Sequence, residues 1–324
     1  MPDPRPLLRD AVAVCPHTDA DGLAAGAIAL RERGESAEDA LLFGRGHGPW
    51  KSDMPDGVMA VLDQGVRETD RPWLIVDHHA PEASPDSCTI VSGFGEDPVP
   101  STSALMRRIV PDAPAWLAAV GACGDYGDDG LKLTECQPAE GEKLVKTHVK
   151  KLVSLVNAPR RLPNHPDRPT EPHEAVRLAL ALLVEAESPK AALADPRADT
   201  LAEAKAEYRA GLDAVMKTAP KATGDVYVIR FTSPYQVHPL VAQTWQRRLK
   251  PKPVLVANDD YLPGRVNFAI RGGDGTDLRQ LLRDAFDRTP ADGGEIGNGH
   301  PGATGGSLTP DDFEHLLTRL AQDG

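Results

Sequence analysis

The chain has 324 residues, 40% of them hydrophobic, and a formal net charge of −12. Its length allows two domains of ordinary size, each with its own core. The acidic balance argues against a protein that holds long nucleic acid by neutralising many phosphates, since that mode needs a basic surface. Any nucleic-acid partner is therefore expected to be short, or to be held mainly by metal ions and a few local cations.

The four cysteines show neither a CxxC pair nor a regular framework, which indicates reduced thiols. The N-terminal residues lack a basic start followed by an apolar run, and no continuous apolar stretch reaches membrane length. We expect a cytoplasmic protein that is neither secreted nor membrane-spanning.

The first half alternates strand and helix patterns. This alternation is typical of an α/β fold with a doubly wound, mostly parallel sheet. Short apolar runs predict strands at residues 11–15, 41–43, 58–62, 73–76 and 89–91, with helices over residues 23–33, 102–109 and 115–122.

From about residue 140 the pattern becomes helical, and a second α/β unit follows. We expect a first domain over residues 1–190, a helical linker over 191–220 and a smaller α/β domain over 221–324. The helices are predicted over residues 142–156, 174–187, 199–217, 240–249, 278–286 and 311–321, and the strands over 226–231, 254–257 and 266–271.

Acidic and histidine residues follow the predicted strands of the first half. The carboxyl ends of parallel strands meet at one edge of a sheet, where such folds bind ligands. Oxygen and imidazole donors without thiolate suit Mn²⁺ or Mg²⁺ better than zinc. The pattern therefore predicts a two-metal hydrolase site built from His17, Asp19, Asp21, Asp63, the triplet Asp77-His78-His79, and Asp125.

Each of these motifs has a simpler interpretation when it is taken alone. Asp21 is compatible with an Asp-Gly turn that starts a helix, where a carboxylate favours the helix dipole. Asp63 and Asp125 resemble ordinary turn residues, and Asp128 and Asp129 compete with Asp125 for its role. The two adjacent histidines are also compatible with a surface pair.

Taken together, the motifs resemble the four N-terminal motifs of the DHH phosphoesterase superfamily, in the same order. The segment from His17 to Gly22 (HTDADG) matches motif one, and Asp63 matches motif two. The triplet that gives the family its name is motif three, and the Gly124-Asp125 turn is motif four.

The second half resembles the DHH-associated C-terminal domain. The segment GNGHPGATGG at residues 297–306 is similar to its glycine-rich signature, and Arg271 matches an arginine of its substrate cleft. Glycines let backbone N–H groups approach a phosphate, and His300 and Arg271 add charged donors. Asn298 replaces a usual glycine, and the alternative is a flexible loop. The resemblance implies substrate binding by His79, Arg271, Gly297, Gly299 and His300.

The resemblance also implies a cleft between the two domains and a pair of Mn²⁺ ions, with Mg²⁺ as the alternative. One ion would be held by His17, Asp19 and Asp63. The other would be held by Asp21, Asp63, His78 and Asp125, so that Asp63 bridges the two. A metal-bound hydroxide would attack the phosphate, and His79, Arg271 and His300 would neutralise it. The implied catalytic residues are Asp19, Asp21, Asp63, His78, His79 and Asp125.

The preferred function is a Mn²⁺-dependent phosphodiesterase that degrades very short oligonucleotides from the 5′ end to nucleoside monophosphates. The alternatives are a phosphoadenosine-phosphate phosphatase, a cyclic-dinucleotide phosphodiesterase, a RecJ-like exonuclease on longer single-stranded DNA, and a non-catalytic nucleotide-binding regulator. The expected partner is a short oligonucleotide or a nucleotide, and no association with a membrane is expected. The preference between RNA and DNA stays open, and so does the formation of a homodimer.

Two further sets have open roles. Arg160-Arg161 forms a local basic cluster that either guides a nucleotide strand or lies on a solvated face. The candidates to stack a base are Tyr126, Phe231, Tyr235 and Phe268, with a core position as the alternative.

Overall fold

The computed structural model describes residues 3–140, 143–272 and 275–322, except for the side chains of Asn298 and His300. The chain divides into two compact units. The first comprises Met1–Arg160 and Asn164–Lys205, and the second comprises Arg161–Pro163 and Ala206–Gly324. The boundary falls within a long helix, α8 (Arg197–Val215).

The first unit is built on a four-stranded sheet whose strands are parallel and follow the chain order. The strands are β1 (Ala13–Pro16), β2 (Met59–Leu62), β3 (Leu74–Asp77) and β4 (Thr89–Ser92). The helices are α1 (Arg5–Asp10), α2 (Ala20–Arg33), α3 (Thr102–Ile109), α4 (Ala115–Tyr126), α5 (Lys146–Val156), α6 (Glu174–Glu185) and α7 (Pro189–Ala194).

Both faces of this sheet are covered, which explains why the strands are apolar along their whole length. Val14 and Leu62 point into the larger core, together with residues of the helices such as Leu23. Cys15 and Val61 point to the opposite face, where they join a smaller cluster that includes Met54 and Trp73. The polar residues that follow the strands therefore emerge at a well-packed sheet edge.

The second unit contains a six-stranded sheet in the order β5-β6-β7-β8-β10-β9. The β6 and β7 strands are parallel, and the other neighbouring pairs are antiparallel. Phe268 and Phe313 pack in the core between this sheet and the helices. The elements are β5 (Lys221–Thr223), β6 (Val226–Phe231), α9 (His238–Leu249), β7 (Val254–Leu262), β8 (Arg265–Arg271), α10 (Leu278–Ala285), β9 (Glu295–His300), β10 (Ala303–Leu308) and α11 (Pro310–Gln322).

The predicted α/β class is confirmed, with differences in several places. Residues 41–43 are described and form no strand; Ala40 makes an isolated bridge to Val14 instead. The helix predicted over 142–156 begins at Lys146, and residue 142 lies outside the described residues. The glycine-rich segment is a hairpin of β9 and β10, because its backbone completes the second sheet.

A further difference concerns Asp125, which lies in the last turn of α4 and not in a turn after it. Gly124 suggested a chain reversal, but a Cβ at this position would lie 2.9 Å from Cβ of Ala20. The glycine therefore permits close packing of α4 on α2.

All four cysteines are free thiols. Among the described helices, none is both long and apolar enough to span a membrane.

Candidate metal centre

The polar residues after β1, β2 and β3 meet at the carboxyl edge of the first sheet. His17 follows β1, Asp63 follows β2, and His78 follows β3. Asp19 caps the N-terminus of α2 by accepting a hydrogen bond from the Gly22 backbone N–H at 3.0 Å. The parallel register of neighbouring strands brings these positions side by side.

One group of donors consists of His17, Asp19 and Asp63. His17 Nδ1 lies 2.9 Å from Asp19 Oδ2 and 3.6 Å from Asp63 Oδ2. The ligand atoms of these three residues lie within 4.8 Å of one another. This spacing is suitable for a single cation between them.

A second group consists of Asp21, His78 and Asp125, and it also meets the 4.8 Å limit. His78 Nε2 lies 3.5 Å from Asp125 Oδ2 and 3.6 Å from Asp63 Oδ1. Asp63 therefore presents one oxygen to each group. A third overlapping set contains Asp63, His78 and His79.

Asp63 has an unusual backbone conformation, with φ of 63° in the left-handed region. Aspartate tolerates this region better than most residues, whereas a typical residue pays about 1 to 2 kcal/mol there. The Asp63 backbone N–H donates to the Val76 carbonyl at 3.0 Å, which fixes the turn. Such local strain is often found where a side chain must be aimed at a functional site.

The N-terminus of α3 holds Asp21 in place. The backbone N–H groups of Thr102 and Ser103 donate to its two carboxylate oxygens at 2.6 and 3.0 Å. The Thr102 hydroxyl also donates to Asp63 Oδ1 at 2.8 Å. Gly121 provides the necessary space, since a Cβ there would collide with Ser103 Oγ and Asp21 Oδ1. This support for Asp21 was not predicted from the sequence.

Asp77 orients the triplet from inside the sheet. It is fully buried, and it accepts hydrogen bonds from the Gly65 N–H at 2.7 Å and the His79 N–H at 2.7 Å. His79 Nδ1 lies 3.0 Å from the same carboxylate. Burial lowers the pKa of His79, but the Asp77 hydrogen bond and the Asp63 charge outweigh it and raise this pKa to about 9.

The crowded carboxylates repel one another. Burial and the charges of Asp19 and Asp21 raise the pKa of Asp63 well above its usual range. Burial and the charge of Asp21 do the same to the pKa of Asp125. Burial lowers the pKa of His17, but the Asp19 carboxylate outweighs it and raises this pKa to about 10. The cluster therefore favours added positive charge.

Arg160 lies beside the first group. Its Nη1 is 3.0 Å from Asp19 Oδ2, and its side chain is 22% exposed. Burial raises the pKa of Asp19, but His17 and Arg160 outweigh it and lower the pKa well below its usual range. Asn157 Oδ1 accepts a hydrogen bond from the Ala20 N–H at 2.9 Å, which ties the same segment to the start of α2. Arg160 is thus placed at the site.

The two competitors of Asp125 are engaged elsewhere. Asp128 pairs with Lys146 at 2.7 Å and with Lys150 at 3.0 Å. Asp129 pairs with Lys132 at 2.6 Å. Asp125 is also exposed, but its Oδ2 lies 3.5 Å from His78 Nε2.

The remaining predicted residues lie in the second unit. Arg271 ends β8 and is paired in register with Ala303, which is paired in turn with His300 of β9. Arg271 Nε is buried and has no hydrogen-bond partner among the described residues, and burial lowers the pKa of this guanidinium. Gly297 and Gly299 have φ of 75° and 128°, which explains the need for glycine at these positions of β9.

Solved structures of other proteins share the fold of this chain. No family model matches the chain, and a search of curated proteins finds no match. A manganese-bound structure of exonuclease RecJ is 19% identical with a TM-score of 0.62, covering 98% of this chain and 92% of the other. The chain has the RecJ fold. This is the fold that the resemblance found in the sequence predicted.

Two structures of RecJ from Thermus thermophilus give the same result. The Mn²⁺ complex is 16% identical with a TM-score of 0.62, and the Mg²⁺ complex is 18% identical with a TM-score of 0.58. Each match covers 98% of this chain but only 54% or 52% of the other chain. The chain thus spans about half the length of that RecJ.

The donor set at this sheet edge fits divalent cations. It consists of carboxylate oxygens and imidazole nitrogens, which suit Mn²⁺ or Mg²⁺. Asp63 is 4% exposed and Asp21 fully buried, so that water screens their charges poorly. Burial, together with the charges of Asp19 and Asp21, raises the pKa of Asp63, and a bound cation would relieve this electrostatic condition.

Proposed function

We propose that this chain is a divalent-metal-dependent phosphodiesterase that hydrolyses short oligonucleotides from the 5′ end to nucleoside monophosphates. The observation that carries the proposal is the convergence of six donors at one sheet edge. Together with His79, these donors form three overlapping groups, of which two contain Asp63 and the third is joined to them through His78. The common fold with Mn²⁺- and Mg²⁺-bound RecJ supports it. The proposed ligands are His17, Asp19, Asp21, Asp63, His78 and Asp125.

Two divalent cations in such a site lower the pKa of a bound water and stabilise charge on phosphoryl oxygens. We assign His17 and Asp19 to one ion, and Asp21, His78 and Asp125 to the other, with Asp63 shared. Mn²⁺ is the proposed physiological ion and Mg²⁺ its substitute.

His79 is the proposed phosphate donor within the first unit. Its side chain is 41% exposed, whereas that of His78 is 3% exposed, so the two histidines have different access to a ligand. The raised pKa of His79, about 9, keeps the metal-free ring protonated near neutral pH. A protonated imidazole donates a charge-assisted hydrogen bond to a phosphate oxygen.

We assign substrate binding to the second unit. The proposed domain limits of the chain are 1–190, 191–220 and 221–324. Arg271 brings a guanidinium whose Nε is buried and has no acceptor among the described residues. In the hairpin of β9 and β10, the proposed substrate-binding residues are Gly297, Gly299 and His300. Such a set of backbone and cationic donors is suited to phosphate.

Short substrates are favoured by the charge of the chain. At a net charge of −12, the 48 Asp and Glu residues outnumber the 36 Lys and Arg residues, so the overall field of the protein does not favour a long phosphate backbone. The affinity should therefore depend on the metal centre and its immediate donors.

The test is hydrolysis of a substrate panel by purified protein with Mn²⁺. The panel contains dinucleotides, five-nucleotide RNA and DNA, thirty-nucleotide strands, phosphoadenosine phosphate, a cyclic dinucleotide and bis(nitrophenyl) phosphate. Release of mononucleotides from the shortest strands supports the proposal. Preference for thirty-nucleotide DNA would establish a RecJ-like exonuclease instead, and nucleotide binding without turnover of any substrate would establish a regulator.

A further inference from the structure

Tyr126 contacts His78, the buried histidine of the candidate metal centre, at the ring nitrogen Nδ1. Its hydroxyl lies 2.7 Å from His78 Nδ1. The opposite ring nitrogen, Nε2, faces the carboxylates of Asp63 at 3.6 Å and Asp125 at 3.5 Å. His78 is 5% exposed, and its ring meets the Tyr126 ring edge-on at 5.9 Å. His78 is therefore held between a phenol and the acidic cluster.

The two histidines of the triplet have chemically different partners at Nδ1. His79 Nδ1 faces the carboxylate of Asp77, and an ionised carboxylate only accepts hydrogen bonds. His78 Nδ1 faces a hydroxyl, which both donates and accepts. A phenol ordinarily keeps its proton near neutral pH, so this hydroxyl has an O–H to donate.

This difference matters because a neutral imidazole carries one proton on one of two nitrogens. When Nε2 binds a cation, its lone pair is used and the proton must lie on Nδ1, where it needs an acceptor. When no cation is present, Nε2–H faces Asp63 and Asp125, and Nδ1 needs a donor. A hydroxyl satisfies both states by rotating its O–H bond.

We propose that Tyr126 is a positioning residue that fixes His78 for metal binding and follows its change of tautomer. In the metal-free state the Tyr126 O–H donates to Nδ1. In the loaded state Nδ1–H donates to the Tyr126 oxygen, and the Nε2 lone pair faces the cation. This inference rests on the proposed metal-dependent function and assigns a new role to a residue outside the ligand set.

The first experiment is calorimetric titration of Mn²⁺ into the wild type, Tyr126→Phe and Tyr235→Phe. Tyr235 is a matched control, because its hydroxyl also donates one hydrogen bond, to Glu207 Oε1 at 3.1 Å, in the second unit. Loss of an outer partner typically weakens metal binding roughly 10- to 100-fold. We expect Tyr126→Phe to bind one of the two Mn²⁺ ions more weakly by this factor. Tyr235→Phe should bind Mn²⁺ with the affinity of the wild type.

The second experiment needs no variant. Nitrogen-15 NMR of labelled histidine in the wild type should show the His78 proton on Nε2 without metal and on Nδ1 with Mg²⁺. The same tautomer in both states would overturn the inference. So would unchanged Mn²⁺ affinity in Tyr126→Phe, provided that the wild type binds two ions. A wild type that binds no divalent cation would instead overturn the proposed function.

Discussion

Arg160 and Asp19 form an ion pair in which the guanidinium Nη1 lies 3.0 Å from the carboxylate Oδ2. The same oxygen lies 2.9 Å from His17 Nδ1. Arg160 is therefore a cation adjacent to a proposed ligand, and its own position leaves it partly exposed. It is suited to contact a phosphate bound at the centre.

We predict that Arg160→Ala raises KM for a dinucleotide several-fold without weakening Mn²⁺ binding. Removal of a positive charge next to the cluster should leave the metal affinity equal or slightly higher, because the guanidinium and the cation repel each other. Steady-state kinetics and Mn²⁺ titration measure the two effects. The control is Arg248→Ala, an exposed arginine that stacks on Trp245 in α9. A fall in metal affinity with unchanged KM would show that Arg160 serves only to orient Asp19.

The substitution Asp63→Asn should abolish turnover and leave the metal-free fold at least as stable as the wild type. Asparagine tolerates a φ of 63° and still accepts from Thr102, while removal of the charge relieves repulsion. Asp63→Ala should be about 1 kcal/mol less stable than Asp63→Asn, since alanine is strained in the left-handed region. Urea unfolding in chelator measures both. Near-normal turnover of Asp63→Asn would contradict the shared-ligand assignment.

Metal affinity should rise with pH. The metal-free pKa of His17 is raised to about 10, so the ring is protonated at neutral pH, and a cation bound by this ring must displace the proton. The affinity then increases by up to about tenfold per pH unit for each displaced proton, until the pH reaches that pKa. Titrations between about pH 6 and pH 8.5, in buffers of different ionisation enthalpy, count the released protons. Affinity independent of pH would contradict the raised pKa.

A methyl group added at Gly121 should displace Asp21 and thereby distort the candidate metal centre. Its Cβ would collide with Ser103 Oγ and Asp21 Oδ1. Overpacking of this kind costs about 1 to 3 kcal/mol. We expect Gly121→Ala to lower both the free energy of unfolding and the Mn²⁺ affinity. Gly302→Ala is the control, because a Cβ there meets nothing within 4 Å. Equal behaviour of the two variants would exclude the proposed crowding.

Substrate length should have little effect on efficiency. We expect kcat/KM on strands of two nucleotides to equal or exceed that on five, ten and thirty, with a shallow salt dependence. The reason is the net charge of −12, which gives added phosphates little overall electrostatic attraction. A steep rise with length that is lost at high salt would indicate a basic track outside the centre.

The strand-end residues were predictable because apolar runs mark where buried strands stop. His17, Asp63 and His78 follow such runs directly, and parallel pairing then brings them together. The support for Asp21 was not predictable. It comes from backbone N–H groups of Thr102 and Ser103, more than 80 residues away in sequence, and a backbone donor leaves no mark in residue identity.

Glycine was the main source of error in the sequence analysis. Gly124 suggested a turn before Asp125, but it lies within α4 and allows a close contact with Ala20. The glycine-rich segment after residue 296 suggested a loop, but Gly297, Gly299, Gly305 and Gly306 lie in strands, where Gly305 approaches the Phe268 carbonyl. Glycine marks a need for space or unusual φ, and the sequence does not show which one applies.

With the proposed ions bound, the crowded carboxylates would link the lifetime of the protein to the metal supply around it. A ligand present at about 100 times its dissociation constant stabilises the folded state by about 2.7 kcal/mol. With the proposed ions, metal starvation therefore removes activity and also increases the unfolded fraction that proteases attack. The buried negative charge of Asp21 and Asp63 would thus let the abundance of the protein follow metal availability without a separate sensor.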